Sequence, residues 1–117
     1  MVVVKDENCL FCKIVIGEIP ATIVKKTDRV TVFNDITPQA PTHLLVIPNQ
    51  HFANMAEVAK AEPELVGEIF AVADQIASEL GLTSYRTNIN TGADAGQSVF
   101  HAHLHLLGGR AFGWPPG

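Results

Sequence analysis

Between residues 96 and 107 the chain reads Gly96-Gln97-Ser98-Val99-Phe100-His101-Ala102-His103-Leu104-His105-Leu106-Leu107. Three histidines alternate with apolar residues. On a β-strand alternate side chains share a face, so the run specifies a strand with His101, His103 and His105 on one side. Ala102, Leu104 and Leu106 then point into a core. One polar residue on a strand face has many structural explanations, but three imidazoles in a row behind a Gly-Gln-Ser turn do not read as packing. Imidazole is the side chain suited to proton transfer, metal binding and nucleophilic attack near neutral pH, so the row reads as a chemical site.

The rest of the composition bounds what that site can belong to. At 117 residues, with 47% hydrophobic and 17% charged residues, the chain reads as one soluble globular domain, 1–117. The net charge is −4 with no basic block, which excludes a nucleic-acid footprint. An anionic ligand would have to be held by local groups rather than by a global field. No apolar stretch reaches membrane-span length. The opening Met1-Val2-Val3-Val4 patch is too short for a signal peptide, which leads to an expectation of a cytoplasmic protein. The two cysteines, in Cys9-Leu10-Phe11-Cys12, read as reduced thiols, a redox pair or metal ligands rather than a disulfide framework.

Local patterns predict the elements. Residues 8–17 form a short helix capped by Asn8, striped by Leu10, Phe11 and Ile14 and stopped at Gly17. Strands over 22–26 and 30–34 make a hairpin across Asp28-Arg29. The loop 35–41 carries two prolines. The apolar run 43–48 is a central strand buried on both faces. A short helix follows at 52–59. A long one runs from Pro63 to about Leu80, striped by Leu65, Ile69, Val72, Ile76 and Leu80 and closed by Gly81. A strand over 85–90 and a turn over 91–97 lead to the histidine strand, 99–107, and the tail 108–117 is irregular. Strands dominate and one long helix separates them, so the class is α+β with a mainly antiparallel sheet.

At the level of residues, His101-Ala102-His103-Leu104-His105-Leu106-Leu107 resembles the His-φ-His-φ-His-φ-φ signature of histidine triad (HIT) proteins. Phe33-Asn34-Asp35-Ile36-Thr37-Pro38-Gln39-Ala40-Pro41-Thr42-His43, Gly96-Gln97-Ser98, Gly108-Gly109-Arg110 and Trp114-Pro115-Pro116-Gly117 resemble the Hint branch of that family. The resemblance runs from about Leu10 to the end. It implies hydrolysis of purine nucleoside phosphoramidates, derivatives of AMP or GMP such as AMP-lysine, with His103 as the nucleophile that becomes nucleotidylated. By the same resemblance His105 and Ser98 contact the phosphate and leaving group, His101 flanks the nucleophile, and His43 supports the triad from a neighbouring strand. Leu10, Phe11, Ile14, Phe33 and Ile36 match the base slot. Asp35 matches the ribose acceptor with Asn34 beside it, and Asn90 with Gly96, Gln97, Ser98 and Val99 matches the phosphate site. A two-fold homodimer with a sheet extended across it, and a tail reaching toward the partner's site, are also implied.

Each assignment has a plainer competitor. Ser98 could bond its own backbone, His43 could be a satisfied core histidine, Asp35 could be a turn former, and the apolar set could be ordinary core. Bacterial relatives with the cysteine pair suggest structural zinc on Cys9, Cys12, His51 and His101; the competitors are metal-free thiols and a redox pair. No magnesium is required by the proposed chemistry. Rival functions are a dinucleoside polyphosphate hydrolase, whose relatives usually carry glutamine at the position of His105, and a nucleotide-binding regulatory module.

Overall fold

The computed structural model describes residues 6–117; the N-terminal apolar patch lies outside them. The elements in order are helix α1 (Leu10–Val15), strands β1 (Ile23–Lys26), β2 (Val30–Asn34) and β3 (Thr42–Pro48), helices α2 (Met55–Ala61) and α3 (Pro63–Glu79), strand β4 (Arg86–Asn88), a 3-10 turn (Ala93–Ala95) and strand β5 (Leu104–Gly108). The strands form one antiparallel sheet in the order β1-β2-β3-β5-β4. The fold is α+β, as the patterning predicts.

The central strand β3 explains the layering. Its residues from His43 to Pro48 are all buried. Leu44 and Val46 join a core with Val30, Val32, Leu104 and Leu106 that α3 covers through Leu65, Ile69, Val72 and Ile76. Leu45 and Ile47 face the other way, into a second cluster with Phe33 and with Phe11, Ile14 and Val15 of α1. Each fully buried aliphatic side chain stabilises by about 1.5–3 kcal/mol, which lets the sheet stay rigid between its two helical covers. Gly81, at φ +75, supplies the left-handed residue that closes α3. No helix among the described residues is long and apolar enough to cross a membrane.

Several boundaries differ from the sequence reading. Helix α2 spans Met55–Ala61 rather than 52–59, because Asn54 caps it by accepting from the Glu57 amide at 2.9 Å. The cap of α1 is Cys9, not Asn8: the Cys9 sulfur accepts from the Cys12 amide at 3.3 Å. Strand β4 is confined to Arg86–Asn88. Strand β5 begins at Leu104 rather than at residue 99, because the Ala102 amide donates to the Phe52 carbonyl at 2.7 Å instead of entering a ladder. His101 and His103 therefore precede the strand, yet the alternation survives: Ala102, Leu104 and Leu106 are in the α3-side core, and the histidines lie on the α1 side.

Candidate active site and metal cluster

The register places a row of side chains across the sheet on the α1 face. Phe33 pairs with Leu45, Leu45 with His105, and His105 with Asn88. His43, two residues before Leu45, is the diagonal neighbour of His105 on the same face. Helix α1 lies above this row and encloses a cavity of about 310 Å³. Its walls include the predicted Leu10, Phe11, Ile14, Phe33 and Ile36. Asn34, Asp35, Ser98, Val99, His103 and His105, also predicted, line it too, whereas the predicted Asn90, Gly96 and Gln97 do not. Ile36, 91% exposed, stands at the open rim. The sequence reading missed Ile19, Pro20, Ala21, Thr37 and Leu45 in the same wall. The Ile19-Pro20 break after the helix was the available signal: an apolar segment that cannot be helical has to lie against something.

Hydrogen bonds assign each imidazole a tautomer. His103 Nδ1 lies 2.7 Å from the His101 carbonyl oxygen. A carbonyl only accepts, so Nδ1 carries the proton and Nε2 keeps its lone pair. The Gln39 backbone N–H donates to His43 Nδ1 at 3.0 Å, so the neutral His43 ring carries its proton on Nε2. That proton is donated to His105 Nδ1 at 2.9 Å, which leaves the His105 proton on Nε2. The cavity is thus lined by one imidazole with a free lone pair and one with an N–H to give. Burial pushes the His103 pKa below the usual 6.5, opposed by its bond to the His101 carbonyl. Burial, then the neighbouring His103 and His43 rings, push His105 down to about 4. Both rings are neutral at pH 7.

Asp35 is a turn former that also stands at the cavity wall. Its Oδ1 accepts from the Thr37 amide at 2.8 Å and the Thr37 hydroxyl at 3.1 Å, forming a turn. Its Oδ2 lies 3.4 Å from His43 Nε2 at the cavity edge. Gln97 is committed to its own loop: Oε1 accepts from the Gly92 amide, and Nε2 donates to the Ala53 and Val99 carbonyls at 2.7 and 3.1 Å. It shapes the turn and has no amide group left for a phosphate. Asn90 and Gly96 adjoin each other, Asn90 Nδ2 lying 3.5 Å from the Gly96 oxygen; neither is in the cavity wall.

His101 departs from the triad picture. Its ring is fully buried and is not in the cavity wall. Nδ1 sits 3.3 Å from Cys9 Sγ and 3.5 Å from Cys12 Sγ, and His51 Nδ1 sits 3.4 Å from Cys12 Sγ. All four donor atoms fall within 4.8 Å of one another. With zinc–sulfur and zinc–nitrogen bonds of about 2.3 and 2.0–2.1 Å, a tetrahedral site has sulfur–nitrogen edges of about 3.5 Å, so the cluster has the right size. His101 Nε2 donates to the Pro48 carbonyl at 2.8 Å, which reserves the Nδ1 lone pair for the cluster. Burial raises the Cys12 thiol to about 11 and lowers His101 to about 4. Without a cation the buried Cys12 thiol would stay protonated; a soft dication is what would make a thiolate stable there. The residues fit zinc.

Asp35, His43 and His105 form a second group of metal-type donors within 4.8 Å. Here the fit fails. The Gln39 amide occupies the His43 Nδ1 lone pair, so the Nε2 facing the group carries a proton and cannot ligate.

In the tail, Arg86 and Arg110 flank the Phe112 ring and Arg86 donates to the Gly113 carbonyl at 2.8 Å. Trp114 beyond them is 84% exposed.

The sequence model of the HIT domain family matches residues 16–112. A HIT-like protein of Synechococcus elongatus is 49% identical over 113 residues, 96% of this chain and 99% of that one. A maize protein named as a 14 kDa zinc-binding protein is 44% identical, over 96% of this chain and 90% of its own. The crystal structure of a HIT family hydrolase from Legionella pneumophila superposes with a TM-score of 0.90 at 50% identity, covering 94% of this chain and 100% of that one.

Proposed function

Given that this chain belongs to the HIT family, we propose that it is a Hint-branch hydrolase of purine nucleoside phosphoramidates, AMP-lysine among them. The observation that carries the reading is the His103 ring, with Nδ1–H held by the His101 carbonyl and the Nε2 lone pair left free in a ring lining the cavity. An unprotonated imidazole nitrogen pinned in this way is a competent nucleophile for phosphorus.

The steps follow from the tautomers. His103 Nε2 attacks the phosphorus, a nitrogen–phosphorus bond to His103 forms, and the bond to the leaving amine breaks. His105 Nε2–H stabilises the charge that develops on the phosphoryl oxygens. The amine departs with a proton that Ser98 relays from solvent, and the attacking water of the second step returns one proton to solvent. Water then attacks the same phosphorus and releases the nucleoside monophosphate and free His103. Leu10, Phe11, Ile14 and Phe33 sandwich the base, and Asp35 accepts from the ribose hydroxyls. His105 favours a phosphoramidase over a dinucleoside polyphosphate hydrolase, given the glutamine usual there in such relatives.

Cys9, Cys12, His51 and His101 would hold the zinc. Four protein ligands leave no open position, so the metal's contribution is structural. A homodimer in which the partner covers Trp114 belongs to the same proposal, supported by that residue's 84% exposure. The test is acid quench of a slow phosphoramidate turnover followed by mass spectrometry. One nucleoside monophosphate on the peptide containing His103 is the expected result; reversible occupancy with no adduct would refute the covalent route.

A further inference from the structure

The metal cluster and the nucleotide cavity share structural parts, and these parts carry an inference that rests on the proposed function and extends it to regulation. Helix α1 has six residues, too few to hold itself together without tertiary anchors. Its two candidate metal ligands, Cys9 and Cys12, bracket Leu10 and Phe11, both of which line the cavity. On the other side, the His101 ring belongs to the metal cluster while its carbonyl holds His103 Nδ1–H at 2.7 Å. The Phe11 ring meets both histidines edge-on, with centroids 5.9 Å from His101 and 5.2 Å from His103.

We propose that the Cys2His2 cluster is an energetic partner of the nucleotide cavity, so that metal and nucleotide each tighten the binding of the other. A metal that ties Cys9 and Cys12 to His101 fixes α1 over the cavity and fixes the carbonyl that orients His103. A nucleotide base packed against Leu10 and Phe11 holds the same helix down and brings the two sulfurs toward His101. Neither ligand touches the other; the shared element is α1 with the His101–His103 segment. Linkage then requires one common factor: whatever tightening zinc gives the nucleotide, the nucleotide must give zinc.

The experiment measures zinc affinity by competition with a chromophoric chelator, with and without saturating AMP, and AMP affinity by calorimetry on zinc-loaded and zinc-stripped protein. The expected result is the same factor in both directions, on the order of tenfold. In Phe11→Leu, which keeps every donor atom, that factor should shrink at least threefold. His51→Ala provides a second route, since His51 is outside the cavity wall: its weaker zinc site can be filled and emptied without a strong chelator, and AMP should still tighten zinc by the wild-type factor. This arm compares zinc affinities only, so it needs no AMP calorimetry on protein stripped by a strong chelator. Zinc and AMP both binding, with each affinity moving less than twofold, would overturn the inference and leave the proposed function standing. No zinc on the purified protein, or no AMP binding to the loaded protein, would overturn the reading on which it rests and the inference with it.

Discussion

Two clusters in this molecule each gather two histidines with acidic donors, and they have opposite chemistry. Cys9, Cys12, His51 and His101 form one; Asp35, His43 and His105 form the other; in each the donor atoms lie within 4.8 Å of one another. The difference is made by the atom on the far side of one imidazole. For His101 that atom is the Pro48 carbonyl, which takes the N–H and leaves a lone pair facing the sulfurs. For His43 it is the Gln39 amide, which takes the lone pair and leaves an N–H facing His105. A ring held by a carbonyl is a ligand, and a ring held by an amide is a donor.

The largest predicted effect falls on the nucleophile. His103→Ala should lower turnover by on the order of 10⁴-fold or more while AMP affinity stays within about tenfold, ~1.4 kcal/mol. Steady-state kinetics and calorimetry check both halves; retained turnover would remove His103 from its role. Next comes the metal cluster. Cys9→Ser should cost at least about 2 kcal/mol of unfolding free energy and slow the single-turnover chemical step by a smaller factor. Titration with cobalt(II), followed by its visible absorption, should fill one site per chain. A second tight equivalent lost in His43→Ala would break the comparison, because it would make the Asp35 group a ligand set after all.

A smaller effect is expected at Ser98. An amine leaves poorly unless protonated, so Ser98→Ala should slow phosphoramidate cleavage by about tenfold and an ester with an acidic leaving group less. Equal slowing would reduce Ser98 to a turn residue. The smallest effect is in pH dependence. His105 titrates near 4 in the folded state because burial and the adjacent rings disfavour its charge, against about 6.5 unfolded. The unfolded chain therefore binds more protons between those values. The stability contribution of neutral His105 is fully present above about pH 6.5 and is lost as pH falls toward 4. Denaturant titrations of wild type and His105→Gln should diverge in that window, with the variant losing less stability on acidification. Parallel curves would mean His105 is solvated.

Much of this was legible in the sequence because it depended on periodicity. The alternation in 101–107 put three imidazoles opposite three core residues, and the stripe from Leu65 to Ile76 placed α3. The apolar run 43–48 announced a strand covered on both sides, and the Cys9–Cys12 pair announced reduced thiols, a redox pair or metal ligands. What periodicity could not convey was the partner of each polar atom. The alternation in His-x-His-x-His does not say that the first ring turns to the cysteines while the other two line the cavity; that expectation comes only from the resemblance, which names His101 with Cys9, Cys12 and His51. Gln39 appears in the sequence as an ordinary loop residue, yet its amide sets the tautomers of two histidines. Gln97 looked like a phosphate contact until its side chain was found spent on Gly92, Ala53 and Val99. These are single contacts, most of them only two to five residues apart in the chain, made with backbone groups that every residue carries.

The central claim is that carbonyl or amide partners fix which nitrogen of each histidine holds its proton. Nitrogen-15 NMR of the histidine rings at pH 7 measures this directly, because the two tautomers give different Nδ1 and Nε2 shifts and couplings. The account predicts that His43, His101 and His105 carry their protons on Nε2 and that His103 carries its proton on Nδ1. A His103 ring protonated on Nε2 would leave the cavity without a nucleophile and would contradict the account.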